Sequence, residues 1–390
     1  MTQVELPCMR WGGPTRSMEI GLAVVWAVVG LVAGLPGALA AQTETEPSAE
    51  IVDLACRACD VDLELLAVLG DVSGEGMLEA ELNSVRVDAQ SRFVVTDGDS
   101  PFLWVFRSDG SFVHRVGRRG EGPGEFRWTS AILVGPSDSV FVFDPSLRRL
   151  TVYDSEHELG RTAPLEIAAS FDATFVDDGI VVNADVRSPE RAGLPLHLLD
   201  PGGEILTSFG SVTARFRPDL GYGVRRAVAA SGRTAVWSAW LNRYRMERWG
   251  TDGTLLQVLE RDVDWFEPYE EPAGGPEEPP SPLVRALHEE AGVLWVLLTV
   301  PSPQWREAID TVIPGPEGQR GFIRIGDRNA YQHTVIEAID LQTGTVTRSM
   351  RIPRLIWGFA GPGPVVFGPD MDPAGNPLVR VWRVEPGDGG

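Results

Sequence analysis

Three groups of residues in this chain carry the chemistry a sequence can advertise. The first is Cys56-Arg57-Ala58-Cys59, a C-x-x-C pair. A redox-active pair needs a preceding strand and a helix start, whose N-terminal N–H groups lower one thiol pKa. Here the pair precedes a strand-like stretch, so a local disulfide between Cys56 and Cys59 is expected. Asp60 after Cys59 excludes c-type haem attachment. The second group is the histidines, at 114, 157, 197, 288 and 333, which show none of the short spacings that build a metal site on one helix or strand. The third is Asp97-Gly98-Asp99. It lacks the further oxygen ligands of a calcium loop, and a strand-ending Asp that caps a turn is the expected role. No G-x-S-x-G elbow prepares a serine for nucleophilic attack. No catalytic residue, metal ligand or cofactor is therefore expected from these groups.

Composition narrows the classes further. All 34 basic residues are arginine, so Schiff-base lysines and Walker phosphate loops are excluded. The formal net charge is −21 and no basic run appears, which argues against a nucleic-acid partner. With 43 glycines and 30 prolines in 390 residues, the chain suits a fold of many tight turns.

The N-terminus reads as an export signal. Ile20 to Ala41 is uncharged, Arg10 and Arg16 precede it, and Ala38-Leu39-Ala40 offers the small residues of a cleavage site. The expected location is periplasmic or secreted. The alternative is a retained membrane anchor, because residues 20–41 are almost long enough to span.

The elements that would position any site follow from an internal repeat. Leu82 to Phe126 and Thr129 to Gly160 share one rhythm: a β-rich start, a polar turn, a short apolar strand ending in Asp97 or Asp144, another short strand, then a D-G or D-S turn. Phe106 and Tyr153 stand 47 positions apart, as do Gly70 and Gly117. A unit of this length with four short strands is a propeller blade.

The stretches FVVTD, WVFRSDG and GRRGEGPGEF resemble the NHL-repeat propellers over Leu69 to Asp154. The resemblance implies a fold, not an activity, since that family holds binding modules and some lyases. Later blades follow by pattern, near Ile167–Phe209, Val224–Leu259, Leu283–Ile352 and from Leu355 onward. The last has only three strands, and Leu63–Leu69 has the look of the missing fourth. The expectation is an all-β six-bladed β-propeller, its last blade closed by an N-terminal strand. The organisation reads as a signal peptide (1–41), an extension (42–61), the propeller (62–386) and a short tail (387–390).

Two long segments exceed what strand connection needs: Arg261–Pro282 between blades 4 and 5, and Pro301–Ala330 within blade 5. Trp265, Tyr269, Trp305 and Arg306 are their candidate ligand-binding residues, since aromatics beside fixed charges suit an organic ligand or a partner's arginine. The function expected is non-catalytic binding of a small molecule or exported protein. The alternative is a metal-dependent propeller hydrolase or lyase with its site over the channel. For the cysteines, mass spectrometry of exported protein is expected to show one Cys56–Cys59 bridge; two free thiols would contradict it.

Overall fold

A computed structural model describes residues 47–54, 61–70, 74–80, 82–97, 100–167, 169–186, 188, 190–211, 225–313 and 322–386. Cys56, Cys59 and the segment Ile20–Ala41 lie outside these.

Six antiparallel sheets follow one another along the chain. Lettering strands A to D from the channel outward, blade 1 is Leu82–Val87, Phe93–Asp97, Leu103–Phe106 and Phe112–Val116. Blade 2 runs from Ala131–Val134 to Leu159–Pro164, blade 3 from Ala169–Val176 to Ile205–Phe209, and blade 4 from Arg226–Ser231 to Leu255–Glu260. Blade 5 comprises Leu283–Glu290, Val293–Pro301, Gln332–Asp340 and Thr345–Ile352. Blade 6 takes Gly358–Phe359, Val365–Met371 and Pro377–Pro386, and its fourth strand is Val61–Leu69. That strand pairs antiparallel from Val61↔Pro386 to Leu69↔Val379. The expected closure is what the chain does, and contacts between neighbouring A strands run all the way round.

Burial explains the sequence texture. The B and C strands have neighbours on both faces, so they read as unbroken apolar runs such as FVVTD, VFVFD and AVWSAW, buried throughout. The outer strands are partly solvated and mix polar with apolar residues, as in FVHRV and ILTSF. Apolar clusters occupy each blade interface in turn. The seam between blades 1 and 2, for example, joins Val105 and Val116 to Ile132 and Val142.

The extension before blade 6 has structure of its own. Glu50–Ile51 adds a parallel fifth strand to the edge of blade 4, and Asp53–Leu54 does the same for blade 5. Between them Val52, 1% exposed, plugs the seam of those two blades. Arg261 fastens this strap. It donates to the Val52 carbonyl and makes a buried two-point contact with Glu337 of blade 5. A guanidinium suits such a bond because its fork matches a carboxylate.

Turn chemistry repeats with the blades. The C–D turns at 107–111, 154–158, 200–204 and 250–254 close with the same two backbone hydrogen bonds. The fourth residue of each takes a positive φ, and three of the four are Gly110, Gly203 and Gly253. In blade 2 the position is His157, at φ 63. An L-residue there costs on the order of 1 kcal/mol.

The strand-ending aspartates do as expected. Asp97, fully buried, accepts from Glu79 N, Ala80 N and Ser100 N, tying the D–A connection to the B–C turn. Asp144 repeats this with Arg127 N, Trp128 N and Leu147 N. Replacing Asp97 with Ala strands buried N–H donors, so a loss of about 3 kcal/mol or more is expected in urea unfolding. Asp109→Ala, in an exposed turn, is expected to cost far less. Equal losses would show that Asp97 is not a structural tie.

Candidate functional site

The D–A and B–C connections share one face of the propeller, because strand direction alternates within each blade. On that face three of the inner strands carry an extra residue just past their start. The register skips Asn83 between Leu82 and Ser84, Phe171 between Ser170 and Asp172, and Arg285 between Val284 and Ala286. Such a bulge re-aims a side chain, and each of these reaches the next blade. Asn83 Nδ2 donates to the Thr129 and Ser130 carbonyls at 2.9 and 3.2 Å, where blade 2 begins. Phe171 lies under the Arg225 guanidinium, 4.6 Å from ring centroid to Cζ, where blade 4 begins. Arg285 stacks on Trp357 at 4.2 Å, where blade 6 begins.

Trp357 has a second cation. Arg328 lies 5.9 Å from the same ring. It belongs to a short helix, Arg328–Tyr331, capped by Asp327. Asn329 Oδ1 accepts from Leu355 N at 2.8 Å and so holds that helix to the connection leading into blade 6. The channel mouth thus presents Arg225, Arg285 and Arg328 against two aromatic faces, in a chain of net charge −21. Each pair sets a guanidinium over apolar ring surface.

Deeper in, an ion pair crosses the channel. Arg86 of blade 1 stands 3.9 Å from Asp172 of blade 3 and also donates to the Phe359 carbonyl of blade 6. Asp172 accepts from Val228 N of blade 4. Burial lowers the Arg86 pKa and raises that of Asp172, each partner opposing the shift. Desolvation outweighs the attraction, so the pair's visible effect is to join four blades. Arg226 is similarly buried beside Trp240, at 3.8 Å, and burial holds its pKa down to about 10 against the pull of Glu247.

The two long segments meet on this face. Arg306 Nη2 donates to the Glu277 carbonyl at 3.1 Å, and Gly274 lies against the Tyr331 hydroxyl. Trp265 packs on Tyr244 and Phe266 in the seam between blades 4 and 5. Tyr269 is held through its main chain, its N–H and carbonyl both engaging Asn242. Trp305, 7% exposed, centres a small separate core with Ala308, Tyr331 and the hairpin Ile309–Ile313/Phe322–Ile325. Arg306 is exposed and stacks 4.5 Å above Trp305. The structure thus brings Trp305 and Arg306 together and sets Trp265 and Tyr269 at the foot of the other segment.

The arginines at the mouth went unread in the sequence. Only Arg285 carries a signal, one residue too many at the start of an inner strand, visible only once blades are aligned. Among the described residues no three His, Cys, Asp or Glu side chains converge as metal ligands. No helix among them is long and apolar enough to cross a membrane.

Residues 77–179 match a family model, DUF5128, described as a 6-bladed beta-propeller. No curated protein sequence matches the chain. Among solved structures, a candidate exported protein from Bacteroides fragilis is similar at 12% identity and a TM-score of 0.56, covering 86% of this chain and 100% of that one. A member of the DUF4221 family from Bacteroides vulgatus is similar at 11% identity and a TM-score of 0.53, covering 84% of this chain and 99% of that one. At such identities the likeness is one of fold. By its own strand pairing and by the family model its first blades match, the chain is a six-bladed β-propeller.

Proposed function

We propose that this protein is an exported binding propeller whose ligand is an organic anion seated at the channel mouth on the D–A/B–C face. The observation that carries this is the Arg285–Trp357–Arg328 cluster. Guanidinium groups take carboxylate, sulfate or phosphate, and the indole face takes the apolar part of the same molecule. Arg225 on Phe171 adds a second such unit. The segments carrying Trp265, Tyr269, Trp305 and Arg306 raise a wall beside this mouth, with Arg306 its exposed cation. Binding sites commonly sit on loops held by a rigid scaffold, and the propeller supplies one. Export is supported by the uncharged run Ile20–Ala41, and one structural neighbour is itself a candidate exported protein.

The test is a thermal-shift screen of the untagged mature protein against acidic saccharides, dicarboxylates and nucleotides, each beside a neutral analogue. Acidic ligands are expected to raise the melting temperature and their analogues not. Arg285→Ala and Arg328→Gln are expected to abolish the shift, and Arg233→Ala, on the opposite face, to keep it. A shift indifferent to ligand charge, or one that survives both mouth variants, would contradict the proposal.

A further inference from the structure

On the face opposite the arginine mouth, the C–D turns of blades 1 to 4 each meet the outer strand of the preceding blade. In blades 1, 3 and 4 the fourth turn residue is glycine. An added Cβ would run into the Val68 carbonyl at Gly110, and come within 2.9 Å of the Pro164 carbonyl at Gly203 and 3.3 Å of Phe209 Cβ at Gly253. Each glycine meets its neighbour with backbone alone. In blade 2 the residue is His157, also left-handed, and its ring makes the joint instead. His157 Nδ1 lies 3.1 Å from Nε2 of His114, in the outer strand of blade 1. Here the joint is built from two titratable rings.

The pair is enclosed: His157 is 7% exposed and His114 partly buried. From blade 1 the A–B turn presents Asp88 and Arg92, bonded to each other at 2.6 Å, and Arg115 follows His114 in the outer strand. From blade 2 come Asp154, Glu156 and Glu158 of the C–D turn, and Asp138 of the A–B turn accepts from Ala89 N. Arg92 also donates to the Ser155 carbonyl at 2.6 Å, which fixes its guanidinium across the same seam. Burial first, then Arg92, holds both imidazoles below their ordinary pKa, His157 at about 4. At neutral pH both rings are uncharged, and an N–H of one donates to the bare nitrogen of the other. A first proton on the pair is added in a buried seam beside Arg92. A second sets N–H against N–H across 3.1 Å, and the contact cannot survive it.

We propose that the His114–His157 contact is an acid-released latch, and that protonating the two rings parts the outer seam of blades 1 and 2 while the rest of the propeller stays folded. Both histidines bind protons more weakly when latched than when released. The latch is therefore fully closed above the ordinary histidine pKa and is lost as pH falls from about 6.5 toward 4. His157 alone then raises the released fraction about thirtyfold between pH 7.5 and 5. Release uncovers the seam cluster that holds Val116 and Tyr153, beside an open cavity of about 520 Å³ that both rings already line.

The experiment is hydrogen exchange of the untagged protein at pH 7.5 and 5.0, read by mass spectrometry and corrected for the intrinsic pH dependence of amide exchange. Peptides covering residues 112–117 and 150–160 are expected to lose protection about thirtyfold or more on acidification. The equivalent joint of blades 3 and 4, residues 205–209 and 250–255, is expected to lose less than about threefold. Two substitutions remove the titrating ring and suit the left-handed turn. His157→Gly copies the other blades, and His157→Asn keeps a side chain able to hydrogen-bond His114. Both are expected to melt cooperatively at pH 7.5 and to hold the acid loss below about fivefold, and His333→Gln in blade 5 to leave it at the wild-type value. Unchanged protection at pH 5.0, or an equal loss at both joints, would overturn the proposal. So would a loss at blades 1 and 2 that survives both His157→Gly and His157→Asn.

Discussion

The structure depends on a pairing between the two ends of the propeller. Three strands of blade 6 come from the C-terminal end and the fourth from Val61–Leu69, more than three hundred residues earlier. Without that ladder, Pro377–Pro386 is an open edge, and the seam between blades 6 and 1 loses Ala67 and Leu69 from its core. A propeller's inner strands hold position only because each blade is pressed between two others, so the ring tolerates no gap. The strap extends the same device. Before reaching blade 6 the chain crosses the outer edges of blades 4 and 5, and Arg261–Glu337 locks it down.

Closure also makes the channel a place where charge can be organised. Arg86 reaches two other blades because the inner strands stand close. The ion pair with Asp172 is held by position more than by attraction, since burial works against both charges. Above it, bulges in alternate inner strands hand a side chain to the following blade. Two of these joints, Phe171–Arg225 and Arg285–Trp357, set an arginine on an aromatic ring at the mouth. Arg225 and Arg285 thus take part both in joining neighbouring blades and in the cationic surface of the mouth.

Much of this architecture is legible in the sequence because it is periodic. Phe106 and Tyr153 fall at equivalent places beside their C–D turns. Gly70 and Gly117 both leave outer strands with positive φ. Asp97 and Asp144 cap the same junction in consecutive blades. What broke the period was hidden. Asn83, Phe171 and Arg285 are single-residue insertions, and one extra residue does not disturb a short apolar pattern. The strap at Glu50–Leu54 pairs with strands roughly two hundred and three hundred residues away, and two-residue strands carry no alternation. Trp265 and Trp305 stood out as aromatics in loops, yet their rings are largely used in packing. His114 and His157 belong to different blades, so no spacing rule relates them; only the seam between blades does.

The N-terminal strand completes the ring, and unfolding of three truncated chains tests this most directly. Chains beginning at residues 47, 55 and 71 keep both strap and closing strand, lose the strap, and lose strap and closing strand together. Removing the strap withdraws buried Val52, bares two sheet edges and is expected to lower stability by about 1–3 kcal/mol, with unfolding still cooperative. Removing Val61–Leu69 as well withdraws buried Val61, Ala67 and Leu69 and a whole ladder of hydrogen bonds. The further loss is expected to be about 5 kcal/mol or more, comparable to the whole stability of a typical domain, and cooperative unfolding should disappear. A chain beginning at residue 71 that melts cooperatively at the temperature of the chain beginning at 55 would contradict the account.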